Sequence, residues 1–206
     1  MKPVIALTKG RLEKQFLQFF ENLGFDVAPL KEKGRKLQIE TEEFEIFFAK
    51  GVDVTTYVEN GIADIGVVGG DILIEHQPDV YNLFPLPFGH CRMALATKKN
   101  YQWPDQKKRI ASTFTNITKK YFKEKGESVD IIRLEGSVEL APILGLADAI
   151  VDIVETGTTL KENGLVIQDE FLSFSARLIA NRSSLKIKRN QLVPVIERFK
   201  EGAKQR

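Results

Sequence analysis

The stretch Ala149-Ile150-Val151-Asp152-Ile153-Val154-Glu155-Thr156-Gly157-Thr158-Thr159-Leu160 passes from an apolar run into a loop of small polar residues. The apolar run predicts a buried strand over 149–154, and the loop predicts the start of a helix that ends near Gly164. The N-terminal region has the same order, because the apolar residues 3–7 precede a loop containing Gly10 and then an amphipathic helix. Strand, glycine loop and helix therefore form the basic unit of this chain.

The rest of the sequence continues this alternation of strands and helices. Several of the strands are apolar on both faces, which favours parallel sheets covered by helices and places the protein in the α/β class. Further strands are predicted at 25–28, 44–49, 64–68, 92–97, 109–112 and 129–134. Further helices are predicted at 54–60 with Asp53 as cap, 71–76, 116–125, 136–144 and 189–203. The segment 98–108, with Trp103 beside Pro104, is predicted to be a surface loop.

Two short segments of the chain resemble each other. Gly61-Ile62-Ala63-Asp64-Ile65-Gly66-Val67-Val68 and Gly145-Leu146-Ala147-Asp148-Ala149-Ile150-Val151-Asp152 both read as a helix end, an Ala-Asp pair and a buried strand. Two similarly built lobes would explain the likeness. A second interpretation stays open, since any short helix-to-strand connection can have this pattern.

The composition excludes several classes of protein. The chain has 206 residues, 43% of them hydrophobic, and a net charge of only +2, which argues against a general nucleic-acid binder. Its single cysteine, Cys91, excludes an internal disulfide framework and a cysteine-based zinc site. The apolar run at the N-terminus is too short for a signal peptide, and no stretch approaches the ~18 apolar residues of a membrane span. We predict a soluble, cytoplasmic protein.

The loop 155–160 carries the strongest chemical signal. Asp152 and Glu155 place carboxylates at the end of a buried strand, where they can accept hydrogen bonds from sugar hydroxyls or face a magnesium ion carried by a diphosphate. Threonine hydroxyls and the backbone N–H groups around Gly157 suit a phosphate at a helix start. The alternative is that Thr156 or Thr158 only caps the helix.

Four other strand-to-helix loops or polar runs are weaker candidates. Lys9 and Arg11, on either side of Gly10, suit an anion, although they can also be two solvated charges. For the loop containing Arg35, a solvated surface role competes with a functional one. For the other two loops the functional and structural interpretations stay equally open: these are Glu135-Gly136-Ser137 and Gly69-Gly70-Asp71.

Nucleophilic and common nucleotide-binding motifs are missing from the sequence. His76 and His90 are the only histidines, and neither belongs to a metal-binding or triad pattern. Cys91 follows His90 directly, so on a strand the two side chains point to opposite faces, and Cys91 is better read as a packing residue or a pocket wall. Neither G-x-x-x-x-G-K-[ST] nor G-x-G-x-x-G occurs.

Taken together, the motifs resemble the catalytic subunit of the ATP phosphoribosyltransferase family in its short form. The resemblance runs from about residue 4 to about residue 182, and it is most specific at 135–142 and 154–160. The segments that carry it, in order, are 7–11, 35–37, 63–69, 91–93, 135–142 (Glu-Gly-Ser-Val-Glu-Leu-Ala-Pro), 152–160 and 163–165. In this family the phosphoribosyl group of phosphoribosyl pyrophosphate is transferred to N1 of ATP, with magnesium, as the first step of histidine biosynthesis.

The resemblance implies a fold and a set of site residues. It implies a two-lobed fold of the type II periplasmic-binding-protein kind, with the active site in the cleft between lobes 1–88 plus 177–206 and 89–176. It implies that the second lobe holds the phosphoribosyl pyrophosphate 5′-phosphate in the loop 155–160, with Asp152 and Glu155 near the ribose and Glu135, Gly136 and Ser137 lining the pocket. Arg11 and Arg35 would approach substrate phosphates and the departing pyrophosphate. Residues nearby would be Lys9, Gly10, Gly69, Asp71, Cys91 and Arg92.

The resemblance also implies partners, and this sequence departs from the family pattern at one position. Short-form members work with a regulatory subunit similar to histidyl-tRNA synthetase, in a hetero-octamer, and magnesium arrives with the substrate rather than in a protein-held site. Position 70 is glycine where many relatives have lysine, so a charge contact there is lost or is supplied elsewhere. Two other functions stay open: a non-catalytic binding module of the same fold, and a phosphoribosyltransferase acting on a different base.

Overall fold

The computed structural model describes residues 2–103 and 106–204, so Pro104 in the predicted surface loop lies outside the described residues. The strands are β1 Val4–Thr8, β2 Gln38–Glu40, β3 Glu45–Ala49, β4 Ile65–Gly69, β5 Tyr81–Pro85, β6 Cys91–Lys98, β7 Lys108–Ser112, β8 Val129–Arg133, β9 Ala149–Val154, β10 Leu165–Phe174 and β11 Ala176–Ala180. The helices are α1 Arg11–Asn22, α2 Ala28–Lys31, α3 Gly51–Glu59, α4 Gly70–His76, α5 Thr115–Glu124, α6 Leu140–Ile143, α7 Thr158–Glu162, α8 Ser184–Ile187 and α9 Arg189–Lys204.

The chain forms two compact units, and the second is inserted into the first. The first unit comprises Met1–His90 and Phe174–Arg206, and the second comprises Cys91–Ser173. None of the helices in the described part of the chain combines the length and apolar character needed to cross a membrane.

The first unit is built on a six-stranded sheet with the order β2-β3-β1-β4-β11-β5. Strands β3, β1 and β4 are parallel, whereas β11 runs antiparallel to both β4 and β5. Helix α1 buries the apolar face that its sequence spacing predicts and packs against α9 through a cluster of phenylalanine rings. The rings in mutual contact are those of Phe16, Phe19, Phe20, Phe25, Phe44 and Phe199.

The second unit is built on a five-stranded sheet with the order β10-β6-β9-β7-β8. Strands β8, β7 and β9 are parallel, and β6 is antiparallel to β9. Because parallel strands end at the same edge, the loops after β7, β8 and β9 all leave from one edge of this sheet. The antiparallel β6 begins at that same edge, since Arg92 lies opposite Val154.

Several sequence predictions need correction. The sheets are mixed rather than parallel, because β11 and β6 return beside parallel strands. Residues 25–28 do not form a strand, since Asp26 accepts a hydrogen bond from the N–H of Ala28 at 2.9 Å and α2 begins there, with Pro29 in its first turn. Asp53 lies inside α3 instead of capping it. The helix predicted at 136–144 begins only at Leu140.

The two similar sequence segments have the same hydrogen bonds. In each, a glycine with positive φ ends a helix: Gly61 at 73° and Gly145 at 77°. The aspartate that follows then pairs with the neighbouring strand through two bonds. Asp64 donates its N–H to the carbonyl of Val4 at 2.9 Å and accepts the Val4 N–H on its carboxylate at 3.0 Å. Asp148 and Arg109 pair in the same way, at 2.8 and 2.7 Å. The likeness therefore reflects one structural motif present in both units.

Each of these buried carboxylates also has a cation. Lys188 Nζ lies 2.9 Å from the Asp64 carboxylate, and the Arg109 guanidinium lies 3.0 Å from that of Asp148. The Tyr101 hydroxyl donates a further bond to Asp148 at 2.8 Å. Burial alone would raise the pKa of Asp148, but the bonds from Arg109 and Tyr101 outweigh it and lower the pKa below its ordinary value.

Because the pKa of Asp148 is lowered in the folded state, the free energy of unfolding should depend on pH. The folded protein binds the proton of Asp148 less readily than the unfolded chain does, so the stabilisation is complete above about pH 4 and is lost as the pH falls through the lowered pKa. We expect Asp148→Asn to cost about 1–3 kcal/mol at pH 7, since an amide cannot accept all three bonds. In urea titrations the difference from wild type should shrink at pH 3.

The matched control is Asp130→Asn, which removes an exposed carboxylate paired with Lys107 on the same sheet. We expect its free energy of unfolding to stay within about 0.5 kcal/mol of wild type at either pH. Wild-type stability of Asp148→Asn at pH 7, or a loss that does not depend on pH, would contradict the role given to this carboxylate.

Candidate active site

The end of β9 holds a carboxylate in a largely apolar environment. Asp152 lies on the same face of the sheet as Ile150 and Val154, which belong to a buried apolar cluster with residues of α6 and α7. Burial raises the pKa of the Asp152 carboxyl to about 6, with a smaller contribution from the negative charge of Glu139, while a bond from the Ile153 N–H opposes the shift. The group therefore changes charge close to physiological pH.

The loop after Asp152 presents polar groups to solvent. Glu155, Thr156, Thr158 and Thr159 are all exposed, whereas Leu160 is buried and anchors the following turn. The Thr156 and Thr158 hydroxyl oxygens lie 3.0 Å apart, so the two side chains share a hydrogen bond. Gly157 stands between them with φ 78°, in the left-handed region that favours glycine.

The helix that follows this loop is shorter than the sequence suggests. Helix α7 has five residues, Thr158–Glu162, so its dipole is small compared with that of a long helix. The capacity of the loop to bind an anion rests instead on its hydroxyl groups and on the backbone N–H groups beside Gly157.

Glu135, Gly136 and Ser137 follow β8 and leave the sheet at the same edge as the loop after β9. All three are exposed, and the Glu135 carboxylate pairs with Nε of Arg133 at 3.0 Å. Ser137 has φ 46°, a conformation that is uncommon for a residue with a side chain. The structure therefore brings this loop and the loop 155–160 to one sheet edge.

Another polar loop, without a predicted role, follows β7. Residues 113–116, the connection after β7 and the first two residues of α5, lie at that same edge, between the neighbouring β8 and β9 loops. Thr113 and Thr115 are half-buried and Asn116 is exposed. The segment lacks the glycine that marked the other loops. The sequence feature that could have identified it is its cluster of polar residues between a strand and a helix.

The start of β6 completes this edge of the second unit. Cys91 is half-buried, and Arg92 contacts protein groups on both sides. Its Nη1 donates to the backbone carbonyl of Glu155 at 3.3 Å, and its Nε lies 2.6 Å from the carboxylate of Glu170.

The first unit gathers its predicted site residues at the equivalent edge of its own sheet. Lys9, Gly10 and Arg11 follow β1, and Gly69 and Asp71 lie at the junction of β4 and α4; β1 and β4 are adjacent parallel strands. Burial raises the pKa of Asp71, while bonds from its own N–H and that of Ile72 and the positive charges of Arg11 and His76 act to lower it. The Arg11 guanidinium therefore lies near the Asp71 carboxylate.

Arg35 and Gly70 lie at this edge too. Arg35 is exposed just before β2, whose first residue, Gln38, pairs with Phe47 near the end of β3. Gly70 is buried, and a Cβ added there would lie 2.9 Å from both the Phe174 Cβ and the Ser175 carbonyl oxygen. The surroundings of Gly70 thus leave no room for a side chain at this position.

The predicted site residues of each unit therefore share an edge with one another. In the second unit they are Cys91, Arg92, Glu135, Gly136, Ser137, Asp152, Glu155, Thr156, Gly157, Thr158, Thr159 and Leu160. In the first unit they are Lys9, Gly10, Arg11, Arg35, Gly69 and Asp71.

The fold is of the periplasmic-binding-protein-like type, with two α/β units. The alkanesulfonate-binding protein SsuA from Xanthomonas axonopodis pv. citri, solved with MOPS bound, superimposes with a TM-score of 0.63 over 98% of this chain and 72% of that one. At 13% identity this similarity concerns the fold alone.

Closer similarities give the family. The family model for ATP phosphoribosyltransferase, HisG, matches residues 50–201. The ATP phosphoribosyltransferase of Bacillus cereus is 52% identical over 93% of this chain and 92% of its own length, and that of Bacillus anthracis is 51% identical over 96% and 95%. A chain of the HisG:HisZ complex from Thermotoga maritima superimposes with a TM-score of 0.84 and 38% identity over 99% of this chain and all of that chain. The chain belongs to the ATP phosphoribosyltransferase family, and these relatives have the length of its short form.

Proposed function

We propose that this chain transfers the phosphoribosyl group of phosphoribosyl pyrophosphate to N1 of ATP and releases pyrophosphate, the first step of histidine biosynthesis. The observation that carries the proposal is the loop Glu155–Thr159, with exposed hydroxyls around a left-handed glycine, just after the half-buried Asp152, whose carboxyl pKa is raised by its surroundings. Family membership supports the same reaction.

Each part of the loop suits one part of phosphoribosyl pyrophosphate. The hydroxyls of Thr156, Thr158 and Thr159 and the nearby backbone N–H groups can donate to the 5′-phosphate. The carboxylates of Asp152 and Glu155 can accept hydrogen bonds from the ribose hydroxyls, and such charged bonds are strong. We assign the lining of the pocket to Cys91, Glu135, Gly136, Ser137 and Leu160.

The reaction needs charge stabilisation more than a protein nucleophile. As the bond from ribose C1 to pyrophosphate breaks, positive charge develops on the ribose and negative charge on the leaving group, and the lone pair of ATP N1 forms the new bond. We assign Arg11 and Arg35 to substrate phosphates and the leaving pyrophosphate, with Lys9, Gly10, Gly69 and Asp71 near them, because preorganised cations stabilise such charge. Magnesium enters with phosphoribosyl pyrophosphate as part of the substrate.

We propose that the chain works with a regulatory subunit similar to histidyl-tRNA synthetase, in a hetero-octamer. The support is the similarity to the HisG chain of the Thermotoga maritima HisG:HisZ complex. We place the enzyme in the cytoplasm, since ATP and phosphoribosyl pyrophosphate are cytoplasmic metabolites.

The activity can be tested directly. The full chain is incubated with ATP, phosphoribosyl pyrophosphate and magnesium, alone and with a HisZ-type subunit, and both ultraviolet absorbance and pyrophosphate are followed. We expect both signals to rise, with GTP a poor replacement for ATP. If calorimetry detects phosphoribosyl pyrophosphate binding but no product forms in either case, the chain is a binding module. If another base is used in preference to ATP, it is a different phosphoribosyltransferase.

A further inference from the structure

Arg92, on β6, contacts both the loop 155–160 that follows β9 and the edge strand β10 on the other side of β6. Its Nη1 donates to the carbonyl of Glu155, the first residue of the loop, at 3.3 Å. Its Nε lies 2.6 Å from Oε1 of Glu170, which belongs to the edge strand β10. The side chains of Arg92 and Glu170 are 37% and 42% exposed, so both are held at the surface edge rather than in the core.

The two contacts occupy different atoms of one planar group. The Nη1 contact is a hydrogen bond, whereas the Nε contact with Glu170 is an ion pair whose N–H is not aligned for a hydrogen bond. The rigid plane of the guanidinium fixes the directions of these two contacts relative to each other. The carboxylate of Glu170 therefore restricts the rotation of the Arg92 side chain, and the restricted side chain holds the carbonyl at the start of the loop. Since the carbonyl of Glu155 and the N–H of Thr156 belong to one planar peptide unit, this contact also sets the direction of the first loop N–H.

We infer that Arg92 is a positioning residue for the phosphate-binding loop and that Glu170 acts through it. The inference rests on the proposed function and goes beyond the position near the substrates that the sequence resemblance implies for Arg92. A loop held in its binding conformation before the ligand arrives loses less conformational entropy on binding. Glu170 has no counterpart among the site residues that the sequence analysis identified.

The test compares Glu170→Gln with a neighbouring control. Asp169 precedes Glu170 on β10, but its carboxylate contacts the Tyr121 hydroxyl and Lys125 Nζ, each at 2.6 Å. We expect Glu170→Gln to raise the KM for phosphoribosyl pyrophosphate about tenfold, with kcat and the KM for ATP unchanged. Asp169→Asn should leave all three kinetic values unchanged, whatever it does to stability.

Arg92→Lys separates positioning from charge. Lysine keeps the positive charge but lacks the planar group that meets the Glu155 carbonyl and the Glu170 carboxylate at two different nitrogens, so we expect it to raise the KM for phosphoribosyl pyrophosphate at least as much as Glu170→Gln. Because the two residues act in series, the double variant should be no worse than Arg92→Lys alone. A substrate contact made by the charge of Arg92 would instead leave Arg92→Lys near wild type.

A measurement without substrate keeps this inference apart from the proposed function. Hydrogen exchange at the backbone N–H groups of 156–160 should be faster in Glu170→Gln and in Arg92→Lys, and unchanged in Asp169→Asn. Unchanged exchange at 156–160 together with an unchanged KM in Glu170→Gln would overturn the inference even if wild type makes phosphoribosyl-ATP. Failure of wild type to turn over would overturn the proposed function, while the exchange result would still decide the role of Arg92 and Glu170.

Discussion

Asp152→Asn should make the protein more stable and much weaker in binding phosphoribosyl pyrophosphate. Burial raises the pKa of this carboxyl from 3.8 to about 6, so above that pH the folded state keeps a charge in an unfavourable environment. Since one pKa unit corresponds to about 1.4 kcal/mol, replacing the carboxylate by a neutral amide should raise the free energy of unfolding by about 1–3 kcal/mol at pH 8. The same change should raise the KM for phosphoribosyl pyrophosphate about 100-fold, because charged bonds to two ribose hydroxyls become weaker.

The sign of the pH dependence gives this prediction a second measurement. A raised folded-state pKa means that the folded protein binds the proton more readily than the unfolded chain, so the cost of the buried charge disappears as the pH falls below about 6. In urea titrations the stability advantage of Asp152→Asn should therefore be present at pH 8 and absent at pH 4. Lower stability of the variant at pH 8 would contradict the raised pKa.

The pH dependence of the KM for phosphoribosyl pyrophosphate must be compared between wild type and Asp152→Asn. The second pKa of a phosphate monoester is also about 6, so the 5′-phosphate of the substrate titrates with Asp152. In wild type the KM for phosphoribosyl pyrophosphate should rise more steeply below pH 6 than in Asp152→Asn, where only the substrate titrates. Identical profiles, or a wild-type KM in the variant, would remove Asp152 from substrate binding.

Gly157→Ala should impair binding of phosphoribosyl pyrophosphate while the fold survives. An alanine at φ 78° costs about 1–2 kcal/mol of conformational energy, and the loop relieves it by turning its N–H groups away from the phosphate. A Cβ there would make only an ordinary contact with Val154, at 3.7 Å, so the surrounding core need not move. We expect the KM for phosphoribosyl pyrophosphate to rise about 30-fold, equivalent to about 2 kcal/mol of lost binding energy.

Gly164→Ala is the matched control for this change. Gly164 has φ 71° just after α7, and a Cβ there would meet nothing within 4 Å. Both variants should lose a similar free energy of unfolding, but only Gly157→Ala should change the KM for phosphoribosyl pyrophosphate. An equal KM increase in both would mean that general destabilisation, rather than the shape of the loop, weakens binding.

The sequence was informative where apolar runs are continuous and local. Strand β9 begins and ends at the predicted residues; β7 and α9 differ from prediction by one residue at one end, and β4 by one residue at each end. Strand β10 was missed because it is an edge strand with Gln168, Asp169 and Glu170 in the middle of its length. Strand β11 was missed since its position between β4 and β5 depends on a pairing with residues about a hundred positions earlier.

The candidate site could be predicted in part for a related reason. Glycine-containing loops after apolar strands point to Asp152, Gly157 and Lys9 from the amino-acid sequence alone, because the order of strand, loop and helix is local. The contact of Arg92 with Glu155 and Glu170 could not be predicted, since it depends on the register of β6 against β9 and on a strand that the sequence did not reveal. The loop 113–116 was missed because it lacks glycine.

The order of strands in the first sheet has a consequence for synthesis on the ribosome. Among the described residues, strand β5 pairs with β11 alone, and β4 keeps one side without a partner until β11 arrives. The insertion of Cys91–Ser173 separates these strands in the chain, so the inserted unit can emerge and begin to fold while the sheet of the first unit is still incomplete. A nascent chain halted before residue 176 would therefore expose an open edge at β4, which is the situation in which chaperones bind and edge-to-edge aggregation begins.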